Sequence, residues 1–195
     1  GGYAGNEIGY LRTRWLPIKT FIGVTSPFSE NLKKVIKGNL GISDNRRAGN
    51  YFRVLPDNRL LWGRDISAMR QFKINFDKQA VKTEIKTFFP SLVENKGGLE
   101  SIKIDYSWCG EMAYSFHKMP YVGFLSPRVF SLTAFGGHGM NTGPAGAIVL
   151  AEFLAGVSNR VSLFEIISKP WNGHNFGPFF AEMIYKIMKI KDKIS

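Results

Sequence analysis

The chain has one cysteine, Cys109, in 195 residues. One cysteine excludes an internal disulfide framework, and with only three histidines beside it no structural zinc site is expected. Acidic residues are also scarce: 15 Asp and Glu stand against 26 Lys and Arg, a formal net charge of +11 at pH 7. No apolar run is long enough to span a bilayer; the stretch around 144–155 falls short of the roughly 20 residues a crossing helix needs. There is no secretory signal, no repeat and no low-complexity linker. A strand–G-x-G-x-x-G–helix unit, which seats the pyrophosphate of a dinucleotide, is missing too. "GGYAGN" at 1–6 has the glycines but no strand before them and no helix after. These absences set the expectation of a cytoplasmic protein without a metal or a membrane partner.

Hydrophobic residues make up 44% and charged residues 21%, which fits a globular chain rather than a disordered one. The length suits one domain or two small lobes. The basic balance raises the question of nucleic acid. The lysines, however, are dispersed at helix-like spacings beside apolar residues, as in Lys78, Lys82 and Lys86. That is the pattern of solvated helix faces, and physiological salt screens such scattered charge. A nucleic-acid partner is therefore not expected, although a basic nucleic-acid-binding domain stands as the reading that charge alone supports. The first residue is Gly1, and the opening reads as a loop. It suggests a chain cut from something longer, or a coding region that begins mid-fold.

Along the chain, 17–25 reads as a strand and 28–37 as a helix, with Ser29 as N-cap and Gly38 as its stop. Residues 50–55 and 59–63 read as a hairpin around Pro56-Asp57-Asn58. Residues 75–89 carry apolar residues at helical period. Residues 100–115 read as a long strand, bent near Gly110, and 128–134 as a short one. A last helix covers about 178–190. The order is α+β, a mostly antiparallel sheet with flanking helices.

One stretch holds chemistry: "FGGHGMNTGPAGAIVLAEFLAG", residues 135–156. From about 142 it reads as a helix, with Asn141 or Thr142 as N-cap, Pro144 in the first turn and Gly156 at the stop. Only Glu152 is charged, so burial on most sides is expected. A helix N-terminus offers unpaired N–H groups and partial positive charge, and glycines before it allow a close approach. The pair can seat an electron-rich or anionic group. On glycine spacing alone the favoured reading is a strand-to-helix turn that needs glycine for its geometry, because short glycine motifs match often by chance.

In this order the segments resemble the C-terminal part of the FAD-dependent D-amino-acid-oxidase superfamily, and within it gamma-glutamylputrescine oxidase-like enzymes. "LRTRWLPIKTFIGVTSP" looks like the family's Arg-x-Leu-Pro segment and following strand. "YFRVLPDNRLLWGR" is similar to its hairpin, with Arg64 where a second glycine is usual. "IDYSWCGEMAYSFHKMPYVG" resembles its W-x-G strand and the Pro-x-ϕ-Gly turn after it. "SLTAFGGHGMNTGPAGAIVLAEFLAG" resembles its flavin-proximal turn and helix.

The resemblance implies a cofactor, FAD, and a division of the chain: 1–16 as a remnant of the FAD domain, 17–115 as a substrate-binding lobe, and 116–195 as the C-terminal flavin-proximal segment. It implies that Gly136, Gly137, His138, Gly139, Met140 and Asn141 cradle the flavin ring. His138 has two readings, as a tuner of the flavin or as a structural residue satisfying a local carbonyl. Related sarcosine oxidases carry a carboxylate-binding lysine where this chain has Asn141, which leans the substrate toward an amine, of a gamma-glutamylputrescine-like kind. Trp62 and Trp108 are candidates to wall its pocket. Cys109 matches the strand in which some relatives tether flavin, but is expected to be a free, buried thiol. Arg53 and Arg59 read as hairpin-face residues, and Trp171 and His174 as part of a loop before the last helix. No catalytic residue is assigned. The implied activity is oxidation of a C–N bond, completed by a separate N-terminal FAD-domain half. The alternative is a non-catalytic remnant of such an enzyme.

Overall fold

The computed structural model describes residues 2–3, 8–29, 32–38, 40–47, 49–69, 76–93, 97–165, 171–174 and 176–194. They sort into two compact units, one of Gly1–Lys19, Ser67–Arg70 and Glu111–Ile184, the other of Thr20–Ile66, Gln71–Gly110 and Tyr185–Ser195. Most of the opening glycine loop, and residues 30–31 and 75 of the two expected helices, lie outside the described residues.

A five-stranded sheet joins β1 (Leu16–Thr25), β2 (Ile42–Ser43), β3 (Tyr51–Val54), β4 (Leu60–Ser67) and β5 (Ile104–Tyr114), in the order β2-β3-β4-β1-β5. The expected hairpin is β3–β4, antiparallel, with Phe52 opposite Trp62 and Val54 opposite Leu60. Its turn needs a left-handed residue, and Asn58 takes that conformation at φ 62°. Asparagine tolerates it because its short side chain finds local bonds. The expected strand 100–115 is β5, preceded by a 3-10 turn at Gly98–Ser101, and it runs unbroken through Gly110.

Phe52, Leu60 and Trp62 point inward from the hairpin, and the helix α2 (Lys78–Phe88) sets Val81 and Ile85 against them, four residues apart on one stripe. The Phe52 and Trp62 rings stack 4.7 Å apart. Asp77 caps α2, accepting from the Ala80 N–H at 2.9 Å. The helix expected over 28–37 is reduced to a 3-10 turn, Leu32–Lys34, among the described residues. The cause is tertiary. The Asn58 side chain donates to the Phe28 carbonyl at 2.6 Å and accepts from the Leu32 N–H at 2.9 Å. The Phe28 N–H donates to the Asn58 carbonyl. Backbone groups that an α-helix would use are held by the hairpin turn instead.

The other unit contains α1 (Gly9–Arg12), the two-stranded antiparallel sheet of β6 (Tyr121–Ser126) and β7 (Val129–Thr133), α3 (Gly139–Leu154), α4 (Ser162–Glu165) and the first half of α5 (Phe176–Ile194). β7 is the expected short strand. β6 was not expected, because Pro120 and Gly123 read as turn residues. The core here is Leu11, Trp15, Ala113, Tyr121 and Ala134. Buried Asn172 ties the loop before α5 to the start of the chain. Its amide donates to the carbonyls of Arg12 (2.9 Å) and Trp15 (2.6 Å), and its N–H to Thr13.

Candidate functional site

β7 ends at Thr133, and the chain reverses through Ala134–His138 into α3. Three of these five residues are left-handed: Ala134 (φ 61°), Gly136 (φ 56°) and Gly137 (φ 89°). The turn is pinned to β5 by a bridge between Tyr114 and Phe135 and by the Gly136 N–H donating to the Ala113 carbonyl at 3.0 Å. Inside the turn, the His138 N–H donates to the Phe135 carbonyl.

The helix begins three residues earlier than expected, at Gly139, with His138 in the N-cap position and no side-chain cap bond. Neither Asn141 nor Thr142 is the cap. Thr142 is already helical, and both its N–H and its hydroxyl donate to the His138 carbonyl, at 3.2 and 2.6 Å. The glycine turn positions His138 to supply the first intrahelical acceptor, so no capping side chain is required. Pro144 consequently lies inside the helix rather than in its first turn. Gly156 ends it as expected, left-handed at φ 68°.

The N–H groups of Gly139, Met140 and Asn141 precede the first i to i−4 bond and have no intrahelical acceptor. Gly137, His138, Met140 and Asn141 are exposed and Gly136 is buried. The turn residues singled out from sequence are thus contiguous and, apart from Gly136, open to a ligand.

The glycines there have different reasons. A Cβ on Gly136 would stand 3.1 Å from the Tyr114 ring, and one on Gly137 would stand 3.0 Å from the Met112 sulfur. With their left-handed φ, both need glycine for the fold itself. Gly139 has an ordinary helical conformation, and its Cβ would meet nothing nearer than 3.5 Å. This chain gives no steric reason for glycine at 139. Met112 and Tyr114, which press on the turn, were not picked out from sequence. Their period-two spacing puts them on one face of a strand, but which strand borders the turn is a matter of topology.

α3 is not buried on most sides. Gly146 and Val149 are its buried residues, while Met140 is 93% and Leu154 71% exposed. The cause is packing from one side only: Leu132 of β7 sits under Gly146, and Phe124 of β6 meets Phe153 edge-on at 5.6 Å.

In the other unit, Trp62 has no exposed surface. Its indole N–H donates to the half-buried Glu84 at 3.0 Å. A tryptophan so enclosed supports the sheet and has no face to offer a ligand. Trp108 is 47% exposed on β5, an edge strand whose residues 105–109 are all exposed. For the same reason Cys109 is free but exposed, not buried. A cleft of about 340 Å³ in this unit is bounded by Thr25, Ser26, Phe28, Leu92 and Lys103, and neither tryptophan lines it.

Arg59 is structural, as expected. It pairs with Asp57 (2.8 Å) and Asp105 (2.5 Å) and donates to the Thr25 carbonyl (2.9 Å). The Ser26 hydroxyl and the Arg59 guanidinium, both bonded to Asp105, hold its carboxyl below the usual aspartate value. Arg53 is exposed on β3, and Trp171 and His174 flank Asn172 in the loop before α5.

The family described as "FAD dependent oxidoreductase" (DAO) matches residues 1–153. Among curated proteins, the chain is 34% identical over 162 residues to the probable oxidoreductase OrdL of Haemophilus influenzae, covering 82% of this chain and 35% of that protein. It is 28% identical over 164 residues to gamma-glutamylputrescine oxidoreductase of Escherichia coli K12, covering 83% and 37%. The chain therefore spans about a third of the length of the curated relatives it matches. Among solved structures, a glycine oxidase from Bacillus cereus superposes with a TM-score of 0.61 at 16% identity, over 81% of this chain and 41% of the other. An L-proline dehydrogenase from P. horikoshii does so with a TM-score of 0.56 at 15% identity, over 90% and 44%. At these identities the structural likeness shows the fold, and the match over 1–153 shows the family: the chain belongs to the FAD-dependent oxidoreductases of the DAO family.

Proposed function

We propose that this chain is the C-terminal, flavin-facing part of an oxidoreductase that oxidises a C–N bond of an amine, with the turn 136–141 and the N-terminus of α3 as the flavin-side cradle. The observation that carries the reading is the exposed α3 N-terminus behind a glycine turn, with a glycine at 139 that the chain's own packing does not require. The residues present fit such a ring: three unpaired backbone donors, a neutral Asn141, and no Cβ at the point of approach.

Flavin, when bound, supplies the acceptor for the hydride equivalent removed from the C–H beside nitrogen. The chain's own contribution is electrostatic. The N–H groups of Gly139, Met140 and Asn141, with the positive end of the α3 dipole, favour negative charge that develops at the ring edge they face. They are set by the Gly136 and Thr142 bonds before any ligand arrives, so they need no reorganisation. Asn141 holds a neutral amide where a carboxylate-binding lysine would favour an amino acid, which supports an amine such as gamma-glutamylputrescine as substrate. The segment 17–115 serves as the substrate lobe and 116–195 as the flavin-proximal part. Trp108, exposed on β5, is the aromatic candidate for the amine pocket. The pyrophosphate end needs a helix-terminal glycine loop that 1–195 does not contain, and a nucleotide-binding half supplies it.

The test is anaerobic reduction of the protein joined to that half. Bleaching of the flavin band by gamma-glutamylputrescine at a rate at least about tenfold above that with free α-amino acids, roughly 1.4 kcal/mol in the barrier, is expected. Faster bleaching by an α-amino acid overturns the amine assignment.

A further inference from the structure

α5 is built the wrong way round for a helix on a globular body. Its polar side faces inward. Glu182 accepts from the Ser67 hydroxyl and the Ala68 N–H, both at 2.9 Å. The Tyr185 hydroxyl accepts from the Ile66 N–H at 3.0 Å, Lys189 pairs with Asp65, and Asp192 accepts from the Arg47 N–H at 3.1 Å. Its apolar side faces out: Phe176, Phe180, Met183, Ile187, Ile190 and Ile194 are 71, 53, 43, 46, 57 and 81% exposed. They follow one another at steps of four and three residues, one continuous seam. Phe179 and Ile184, also exposed, widen it to an arc of about 140° at roughly 100° per residue.

The charges beside the seam decide what can cover it. Lys186 and Lys193 lie along one edge and Lys191 along the other, all exposed. The two acids of the helix that bind described partners, Glu182 and Asp192, are turned inward. Two copies of α5 laid seam to seam would set lysine against lysine in either direction, where paired helices use opposite charges. The arc is also wider than a two-stranded seam needs. A Phe- and Ile-rich face with lysine edges is instead complementary to a surface that is apolar beneath and negative on top. We infer that α5 lies in the plane of an anionic lipid surface, with its Phe/Ile face in the acyl boundary and Lys186, Lys191 and Lys193 at the head groups. No described helix is long and apolar enough to cross a membrane, and this attachment requires none that is.

The test is co-sedimentation of the whole protein that contains this chain with phosphatidylcholine vesicles and with vesicles enriched in phosphatidylglycerol. Binding to the anionic vesicles alone, weakening as salt is raised, is expected. Phe180→Asp with Ile187→Asp should lower the bound fraction at least about tenfold, and Lys186→Glu with Lys191→Glu and Lys193→Glu should do the same. The melting temperature of the charge-reversed variant, measured alongside, separates lost binding from lost folding. Four results would overturn the proposal. These are no binding to either vesicle (as when the rest of the protein already covers α5), equal binding to both, binding that both variants retain, and a solution dimer that Ile187→Asp dissociates.

Discussion

At the scale of single residues, the two tryptophans chosen from sequence separate into different roles. Trp62 is enclosed between Phe52 and α2 with its indole N–H bonded to Glu84. Trp62→Ala should cost about 3–5 kcal/mol in denaturant unfolding, the range for deleting a buried aromatic. Trp108→Ala should stay within about 0.5 kcal/mol, as surface changes do, and if Trp108 walls the pocket it should raise KM for the amine. Composition could not distinguish them, because burial depends on the position of a strand in its sheet. Trp62 is on interior β4 and Trp108 on edge β5, and that edge also explains why Cys109 is exposed. Asp105 gives a pH-dependent prediction. Its carboxyl is held below its ordinary value of 3.8 by Ser26 and Arg59. Its ionised form therefore stabilises the fold above the unfolded value, and that contribution disappears as the pH falls through the lower folded value. Asp105→Asn should lower the melting temperature slightly at pH 7, and the difference from wild type should shrink as the solution is acidified. A gap that stays constant into acid would mean that the Asp105 charge contributes nothing.

At the scale of elements, periodicity and punctuation made most of the fold legible. The strand at 16–25, the hairpin around Asn58, α2, β5, β7 and the last helix lie where their patterns put them, within a few residues. Two elements were misread for reasons outside their own sequence. The segment 28–37 has helical periodicity, but Asn58, more than twenty residues away, binds its backbone at Phe28 and Leu32. β6 contains Pro120 at its threshold and Gly123 within it, and only pairing with β7 makes it a strand. The start of α3 was misplaced because capping rules look for a side chain, whereas here a glycine turn presents the His138 carbonyl. This gives a contrast that thermal melts can check. Gly136→Ala forces a Cβ into a left-handed position against Tyr114 and should cost about 1–2 kcal/mol. Gly139→Ala meets only ordinary contacts at a helical position and should be neutral or slightly stabilising. Equal effects at the two positions would contradict the different reasons assigned to their glycines.

At the scale of the whole molecule, the family was legible because four motifs occur in one order over most of the length, while each alone is a common short pattern. The candidate site was legible only as a stretch of chain. Its donors and its open glycine follow from where the helix starts, and its neighbours Met112 and Tyr114 from topology. The chain spans about a third of the length of its relatives, and α3 leaves Met140, Ile148 and Leu154 exposed. Residues 1–195 by themselves should purify without bound flavin, since the sequence has no strand–G-x-G-x-x-G–helix unit to seat the phosphates. The central claim is that the α3 N-terminus receives the flavin, and Gly139→Val tests it most directly, because a Cβ there meets only the Phe135 side chain, at 3.5 Å or more. The measurement is flavin bound per protein, read from the visible absorbance of the protein assembled with its nucleotide-binding half, alongside its melting temperature without flavin. The account predicts a variant that melts within a few degrees of wild type, as a change of about 1 kcal/mol or less would allow, yet loses most of its flavin. A variant that keeps both its fold and a full complement of flavin would contradict it.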